Sequence, residues 1–415
     1  MGNNRLFDRL YFLIGVPWLA LMLLTSGSLT EIKTVLLIIL MIISLFELSS
    51  RRIVSDSKQK IFVFVFCLYM MMSLSLGIIL GYEFEISKDF PLIQYYLITP
   101  ICVIILGKTL SVTKKRRCAI WNIFKYLTLI LAILDVVKVI SIIYGIPIPL
   151  LEFITLYSKQ TTNELSVRVT NESSFFMLLP IYIYLFFNPE KNQKSYDRYI
   201  YMLIILFGIT YSIFSGRKIL EVLVVICVIA SLVYKDGKVK IGNLFGKKTI
   251  VLFLLLFLFD IIFARLSNTL GLGNIIEMAF QTVINGFSSD AAGVISRVDN
   301  SNALYDFWSS SPLWGHGLNS YVPYSLANKT TKWSYEVVYL ALLAQTGIIG
   351  VLLFFRSIIY VAKKLIIHGK KYNDRKCLAI MVGFISFILA GSSNPLVYFV
   401  WPWSFSLIYC NIENE

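Results

Sequence analysis

The sequence predicts an all-α polytopic membrane protein of about twelve transmembrane helices, forming a single membrane domain over residues 1–415. The first observation is composition, since 57% of the residues are hydrophobic and 15% are charged, whereas a soluble domain carries roughly 25% charged residues. The second is that long apolar runs recur along the whole chain. The third is that lysine and arginine concentrate in every second connection between these runs.

Twelve apolar runs are long enough to cross the hydrocarbon core of a bilayer, which is about 30 Å thick, as helices. They are residues 10–27, 31–48, 60–81, 90–107, 119–146, 173–188, 199–215, 218–234, 248–263, 335–355, 377–391 and 395–411. The first run is expected to stay in the protein as a helix, because no small-residue cleavage pattern follows it.

Lysine and arginine predict the orientation, because connections that stay in the cytoplasm are enriched in these residues. The basic connections are the N-terminal tail and residues 51–60, 108–117, 189–198, 235–248 and 356–376. With twelve crossings they all fall on one side, so both termini are expected in the cytoplasm. The same alternation places a large outer loop between the ninth and tenth helices.

Charge and cysteine usage exclude several functions. The formal net charge is +14, but the basic residues lie in short runs between apolar segments, so no nucleic-acid partner is expected. Six cysteines without a CxxC pair and two histidines predict neither a disulfide framework nor a metal site. The sequence contains no nucleotide-binding motif. We therefore expect no cofactor and metal-independent chemistry.

Two outer connections are long, over residues 147–172 and 264–334. Within the second, residues 294–308 have apolar side chains at helix-like spacing, and Pro312 ends the run. The apolar positions are Val294, Ile295, Val298, Leu304, Tyr305 and Trp308. We predict a short amphipathic helix that lies on the membrane surface.

Three arginines lie on the predicted outer side, where the positive-inside rule disfavours them. They are Arg168, Arg217 and Arg297, each beside serine, asparagine or threonine. A single arginine of this kind is ordinarily an interfacial residue whose charge reaches water. Three of them favour a shared anionic ligand, because guanidinium groups match phosphate oxygens as planar forks of donors.

Arg217 follows Ser215 and Gly216 in a tight turn, and a helix is predicted to begin near Lys218. A phosphate at this turn would meet Arg217, Lys218 and the positive end of the helix dipole. The alternative is an ordinary turn that contains a glycine.

Two side chains are candidates for a general base. His316 lies between Gly315 and Gly317 in an exposed turn of the large loop, and a plain loop histidine is the alternative. Glu336 precedes the tenth helix, where a carboxylate is also favoured simply by the helix dipole.

Aromatic residues are dense near the outer connections, which is typical both of a membrane-interface belt and of a surface that stacks on sugars. The candidates for contact with a sugar are Asn171, Trp308, Trp314, Tyr321 and Tyr335.

The order of these motifs resembles the O-antigen polymerase and ligase superfamily, the Wzy- and WaaL-type membrane glycosyltransferases. An outer arginine precedes a helix in RVTNESSFF, SGR follows at an outer turn, the large loop carries SR, a tryptophan and SPLWGHG, and the next helix contains QTGIIG. The resemblance covers roughly residues 165–355, and the earlier part of the chain is similar in hydropathy alone.

The resemblance implies a bacterial inner-membrane enzyme that acts on sugars carried by undecaprenyl diphosphate, with Arg168, Arg217 and Arg297 contacting the diphosphate. Ligases of this superfamily have a histidine where this chain has Glu336. That departure favours the polymerase branch, which makes O-antigen or capsular polysaccharide, with Glu336 as the base and His316 as the alternative.

Two other functions stay open at this point. One is a ligase that transfers lipid-linked glycan to an acceptor. The other is a non-enzymatic flippase of lipid-linked oligosaccharide, which would need charges inside the bundle, and the candidates are Lys125, Asp135, Lys138 and Asp260. The expected partners are the lipid-linked oligosaccharide, membrane lipid and a chain-length regulator protein.

Overall fold

The computed structural model describes most of the chain. The described residues are 2–25, 29–51, 57–154, 156–160, 166–190, 193–235, 238–239, 292–322, 331–392 and 400–410. The predicted ninth segment, 248–263, lies outside them, as do Asp260 and residues 264–291 and 323–330 of the large loop. The described part is mostly helical.

Seven helices precede residue 147. They are α1 (Gly2–Leu10), α2 (Val16–Leu24), α3 (Thr30–Arg51), α4 (Ser57–Ile79), α5 (Ile86–Ile93), α6 (Thr99–Ser111) and α7 (Lys114–Tyr144). A π-helical turn joins α1 to α2 and another joins α5 to α6, so each pair forms one continuous helical rod. Large apolar side chains such as Ile38, Phe46, Phe64 and Leu68 are exposed on α3 and α4, as expected for faces that contact lipid.

Seven further helices follow in the described residues. They are α8 (Phe175–Phe187), α9 (Ser195–Ser215), α10 (Lys218–Val233), α11 (Ala292–Ser310), α12 (Val338–Lys371), α13 (Arg375–Ala390) and α14 (Val400–Cys410). Helix α8 packs against α9, α10 and α13, and all its residues except Phe186 are buried. A helix that is apolar all round belongs in such a central position.

Within the described residues, seven helices are long and apolar enough to cross a membrane. They are Leu6–Leu24, Thr30–Ser50, Ser57–Ile79, Ile86–Ser111, Lys114–Ile143, Ser195–Ser215 and Val338–Lys371. Shorter apolar helices accompany them, among them Asn171–Phe187 and Ile219–Val233. The chain is therefore a multi-pass membrane protein built mainly from α-helices.

The connection over 147–172 contains regular structure that the all-α prediction does not include. Strands β1 (Leu156–Gln160) and β2 (Ser166–Val169) pair antiparallel, with Ser158 opposite Arg168. A second two-stranded ribbon joins β3 (Tyr234–Lys235) to β4 (Lys238–Val239). Such short ribbons satisfy backbone groups without a long apolar run, so hydropathy does not reveal them.

Helix α12 differs from the prediction at both ends. It begins at Val338 and runs to Lys371, so most of the basic connection predicted over 356–376 is helical. Its chain is broken once inside, at Gly347, where φ is +64° and ψ is −174°. Glycine adopts this conformation at no steric cost, whereas other residues are strained there.

Helix α11 covers the range predicted for an amphipathic helix, but the predicted apolar face is wrong in detail. Leu304 is buried, whereas Val298 and Tyr305 are exposed and polar Asn300 is buried. The helix packs against α12, and this contact, rather than the spacing of apolar residues, selects its buried face.

Candidate functional site

Five charged side chains from separate parts of the chain lie together near one end of the helices. They are Arg168 on β2, Glu172 in the 3-10 turn that follows, Arg217 between α9 and α10, Arg297 on α11 and Glu336 just before α12. Arg168 interacts electrostatically with each of the other four. We call this group the arginine cluster. It brings together the three arginines that the sequence singled out.

Arg217 is held by the turn between α9 and α10. Gly216 ends α9 with a φ of +61°, and the backbone N–H of Arg217 donates to Ser215 Oγ at 3.3 Å. The Arg217 guanidinium forms an ion pair with Glu172, whose side chain is buried. The side chain of Lys218, predicted to share this site, lies outside the described part of the structure.

Arg168 is half-buried and differs from Arg217 in its partners. Its Nε donates to the carbonyl oxygen of Ser215 at 3.3 Å, and it forms no ion pair with a carboxylate among the described residues. Burial lowers the pKa of the Arg168 guanidinium, and the positive charge of Arg217 lowers it further. Both causes penalise the charged form that an arginine keeps near neutral pH.

A group of buried polar side chains lies next to these arginines and is joined by hydrogen bonds. The Tyr211 hydroxyl donates to Glu172 Oε2 at 3.4 Å and accepts the N–H of Val169 at 3.4 Å. Asn171 Nδ2 donates to Asp135 Oδ1 at 3.4 Å, and both of these side chains are fully buried. The structure therefore turns Asn171 inward, towards α7, where a sugar contact would require its bond to Asp135 to break.

Arg297 and Glu336 close the exposed side of the cluster. Arg297 Nε donates to Glu336 Oε2 at 2.9 Å, and the two side chains are 43% and 63% exposed. An exposed pair of this kind contributes about 0–1 kcal/mol, so an anionic ligand can replace the carboxylate at little cost.

His316 lies in a different environment. Its Nε2 contacts the carbonyl oxygen of Phe307 at 2.8 Å and Ser310 Oγ at 2.9 Å, and its ring stacks on Phe307 at 3.9 Å between centroids. A carbonyl oxygen accepts only, so Nε2 carries the proton in this arrangement. His316 thereby caps the last turn of α11, and Nδ1 is its one nitrogen left to act as a base.

Residues 312–317, which we call the docked loop, fill the break in α12. The N–H groups of His316 and Gly317 donate to the carbonyls of Ala344 and Gln345 at 3.1 and 2.8 Å. In return, the N–H groups of Ile348 and Ile349 donate to the carbonyls of Pro312 and Leu313 at 3.0 and 3.4 Å. The loop therefore replaces the hydrogen bonds that the helix loses at Gly347.

Helix α4 holds the other side of the docked loop. The Tyr69 hydroxyl donates to the Thr346 carbonyl at 2.6 Å, and the Leu318 N–H donates to the Ser73 carbonyl at 3.2 Å. A Cβ atom on Gly317 would lie 2.2 Å from the Cα of Gly77, so this crossing requires glycine on both sides.

The aromatic candidates surround this loop in different states of burial. Trp314 is 53% exposed, stacks on Tyr69 at 6.3 Å between centroids, and lines a cavity of about 870 Å³ between α4 and the docked loop. Trp308 is half-buried and donates from Nε1 to Pro312 at 3.1 Å. Tyr321 is half-buried beside Lys332, whereas Tyr335 is buried and accepts the Val322 N–H at 2.8 Å.

Two of the flippase candidates have partners in separate places among the described residues. Lys125 pairs with Asp197 at the start of α9, while Asp135 bonds Asn171 near the arginine cluster.

Sequence reasoning missed Glu172 and Tyr211, and it named Asp135 only as a charge inside the bundle that a flippase would need. Asp135 lies within an apolar run, and a carboxylate at such a position is itself a signal of a polar partner. Glu172 lies in the quoted RVTNESSFF segment, but nothing local connects it to Arg217.

The fold and the site together define a multi-pass membrane protein with a cationic cluster at one end of its helices. Compared with protein-family models, curated proteins and solved structures, the chain matches none.

Proposed function

We propose that the protein polymerises undecaprenyl-diphosphate-linked oligosaccharide repeats into O-antigen or capsular polysaccharide. The observation that carries this proposal is Arg168, a half-buried guanidinium with no carboxylate ion partner among the described residues, held beside Arg217 and Arg297. Like charges held this close oppose one another. A diphosphate would offset that repulsion and would accept donors from several guanidinium groups at once.

The proposal includes the location of the reaction. With twelve transmembrane helices and both termini in the cytoplasm, the arginine cluster lies at the outer face of a bacterial inner membrane. Lipid-linked repeats are available to an enzyme at that face, and nucleotide sugars are not needed there because the anomeric diphosphate is itself a leaving group. Membrane lipid and a chain-length regulator protein are the proposed partners besides the substrate.

The proposed reaction is a glycosyl transfer between two lipid-linked glycans. A hydroxyl oxygen at the non-reducing end of a new repeat attacks the anomeric carbon of the growing glycan. The bond from that carbon to the diphosphate oxygen breaks, undecaprenyl diphosphate leaves with the electron pair, and the hydroxyl proton passes to a base. Arg168, Arg217 and Arg297 stabilise the negative charge that develops on the leaving diphosphate.

Glu336 is the proposed base, because it is exposed and already beside the arginines. Its ion pair with Arg297 would open when a phosphate takes the guanidinium, and the carboxylate would then be available to accept the proton. His316 is less suited to this role, since its Nε2 is engaged by the carbonyl of Phe307.

The remaining candidates have secondary roles in this proposal. Lys218 adds charge beside Arg217, and Trp308, Trp314 and Tyr321 provide aromatic faces for sugar rings. The cavity between α4 and the docked loop is lined largely by apolar side chains, such as Leu68, Met72 and Ile79, and would accommodate part of an isoprenoid chain.

The test is to replace Arg168 with alanine in cells that make the glycan and to separate surface polysaccharide by electrophoresis. We expect the long-chain ladder to collapse to a single repeat, because the leaving diphosphate loses a donor. Arg198→Ala is the matched control, since Arg198 is an exposed arginine at the other end of α9 and its loss should leave the ladder intact.

Other outcomes separate the alternatives. Long polymer stranded on undecaprenyl diphosphate after deletion of the gene would identify a ligase. Loss of outward-facing lipid-linked repeats, with single repeats retained inside, would identify a flippase. A normal ladder in Arg168→Ala, at normal protein level, would contradict the role given to the arginine cluster.

A further inference from the structure

The turn between α12 and α13 brings three possible metal ligands together, at the opposite end of the helices from the arginine cluster. His368 lies in the last turn of α12, Asp374 precedes α13, and Cys377 lies in its first turn. One ligand atom from each side chain lies within 4.8 Å of the other two. His368 and Cys377 are buried, and His368 lies within residues 356–376, which the sequence predicted to be a basic connection.

The backbone of the turn is built for this close approach. The Asp374 N–H donates to the Gly369 carbonyl at 3.0 Å, and the Tyr372 N–H donates to the His368 carbonyl at 3.0 Å. A Cβ atom on Gly369 would lie 2.7 Å from Leu378. Asn373 has a φ of +49°, a left-handed conformation that asparagine tolerates better than most residues. These contacts return the chain so that α13 begins beside His368.

Asp374 is oriented by a second set of bonds. Its Oδ1 accepts the N–H groups of Lys376 and Cys377 at 2.8 and 3.3 Å, which makes it the N-cap of α13. This bond fixes the direction of the carboxylate, and its other oxygen can serve as a ligand.

The three side chains offer a nitrogen, an oxygen and a sulfur as ligand atoms. Cys377 would bind a metal as its thiolate, and His368 would bind it as a neutral imidazole, so both lose a proton if they start protonated. A thiolate and a carboxylate together carry the charge that neutralises a divalent ion.

We propose that His368, Asp374 and Cys377 bind a zinc ion that ties α12 to α13. Zinc prefers sulfur, nitrogen and oxygen ligands of this kind. Its bond lengths imply roughly 3.5 Å between ligand atoms in a tetrahedral site, so atoms that lie within 4.8 Å of one another need to approach by at most about 1.3 Å. Water occupies the fourth position. The Cys377 Sγ–H donates to the Tyr409 carbonyl at 3.8 Å, and the thiol gives up this bond when it loses its proton to bind zinc.

The zinc site is independent of the proposed glycosyl transfer, because it lies away from the arginine cluster and its role is structural. The proposed site differs from the sequence prediction, in which scattered cysteines and two histidines indicated no metal site. The pattern H-x5-D-x2-C becomes a ligand set only when the turn folds.

The test is metal analysis of the full-length protein, purified in detergent through a tag without histidine. The protein is stripped with a chelator, incubated with Zn²⁺ and freed of excess metal. We expect about one zinc per chain in the wild type and in Cys118→Ser, a control that removes an exposed thiol near the same turn. We expect less than a tenth of that in Cys377→Ser and His368→Gln.

Cobalt substitution tests the site in the wild-type protein and so does not depend on variants that fold poorly. Wild-type protein loaded with Co²⁺ should show a thiolate-to-metal absorption band that Zn²⁺ abolishes, and the band should survive Cys118→Ser. A wild-type protein that retains no zinc above the Cys377→Ser level, or that gives no thiolate band with cobalt, would overturn the proposal. Loss of long-chain glycan in Arg168→Ala with zinc retained would show that the two proposals stand separately.

Discussion

Arg116 is buried and Arg168 is half-buried, yet the two guanidinium groups have different partners. Arg116, in the first turn of α7, is 2% exposed and pairs with both Asp8 and Glu47. Its Nη1 also donates to the Thr109 carbonyl at 2.5 Å, and its guanidinium lies 4.2 Å from the centre of the Tyr11 ring. Arg168 has the Ser215 carbonyl and, nearby, two further arginines.

The difference separates a structural arginine from one that can bind a ligand. At Arg116 two carboxylates and a carbonyl use the donors of the guanidinium, and nothing is left for another molecule. Asp135, near the arginine cluster, follows Arg116 on α7 by about 28 Å of helix rise. Helix α7 therefore connects Arg116, whose guanidinium donors are all used, with the arginine cluster, where Arg168 has no carboxylate ion partner among the described residues. Mutations should distinguish the two sites.

The largest effect on stability is expected from Arg116→Ala. This change takes the Arg116 guanidinium away from Glu47, which is fully buried, and removing one member of a buried ion pair costs roughly 3–5 kcal/mol. We expect a large loss of folded protein by size-exclusion chromatography in detergent. Arg198→Ala, at an exposed site, should stay within about 0.5 kcal/mol of wild type. Equal yields of the two variants would contradict a structural role for Arg116.

An intermediate effect is expected from Arg217→Ala, which should reduce both stability and polymer length. Arg217 neutralises the buried Glu172 but is itself partly exposed, so we expect a cost of about 2 kcal/mol. The double variant Arg217→Ala/Glu172→Gln should recover thermal stability without recovering the glycan ladder. If the double variant restored the ladder as well, Arg217 would be a structural residue like Arg116.

The smallest effect is expected from pyrophosphate, used as a soluble mimic of the lipid diphosphate. At ten times its Kd a ligand stabilises the folded state by about 1.4 kcal/mol. The free energy of unfolding of the wild type, measured by thermal denaturation, should rise by that amount. The rise should be smaller at high salt. Arg168→Ala should abolish the shift without lowering the stability of the free protein. An unchanged shift in this variant would place the anion elsewhere.

Hydropathy and charge alternation predict where the helices lie, because membrane crossing imposes length and polarity on each segment. Eleven of the twelve predicted segments coincide with helices, and the remaining one, 248–263, lies outside the described residues. The break at Gly347 was not predicted, because QTGIIG has the composition of a continuous apolar helix and the compensating bonds come from a loop about thirty residues earlier in the chain.

The site was predictable only in part, for a related reason. Arginines on the predicted outer side stand out one at a time against the positive-inside rule, so Arg168, Arg217 and Arg297 could be named. The ion pairs they form could not be predicted, because Glu172 meets Arg217 and Glu336 meets Arg297 across 45 and 39 residues of chain. Ion pairs at such separations depend on packing, which no local pattern encodes.

The docked loop has a consequence for how the protein is assembled during synthesis. Helix α4 leaves the ribosome long before Thr346, yet the Tyr69 hydroxyl has its acceptor on Thr346. The backbone groups of Ala344 to Ile349 likewise bond the docked loop, which is synthesised before them. The loop and α12 must therefore meet in the bilayer after both have been inserted. The N-terminal helices can therefore complete their contacts only after α12 has been inserted.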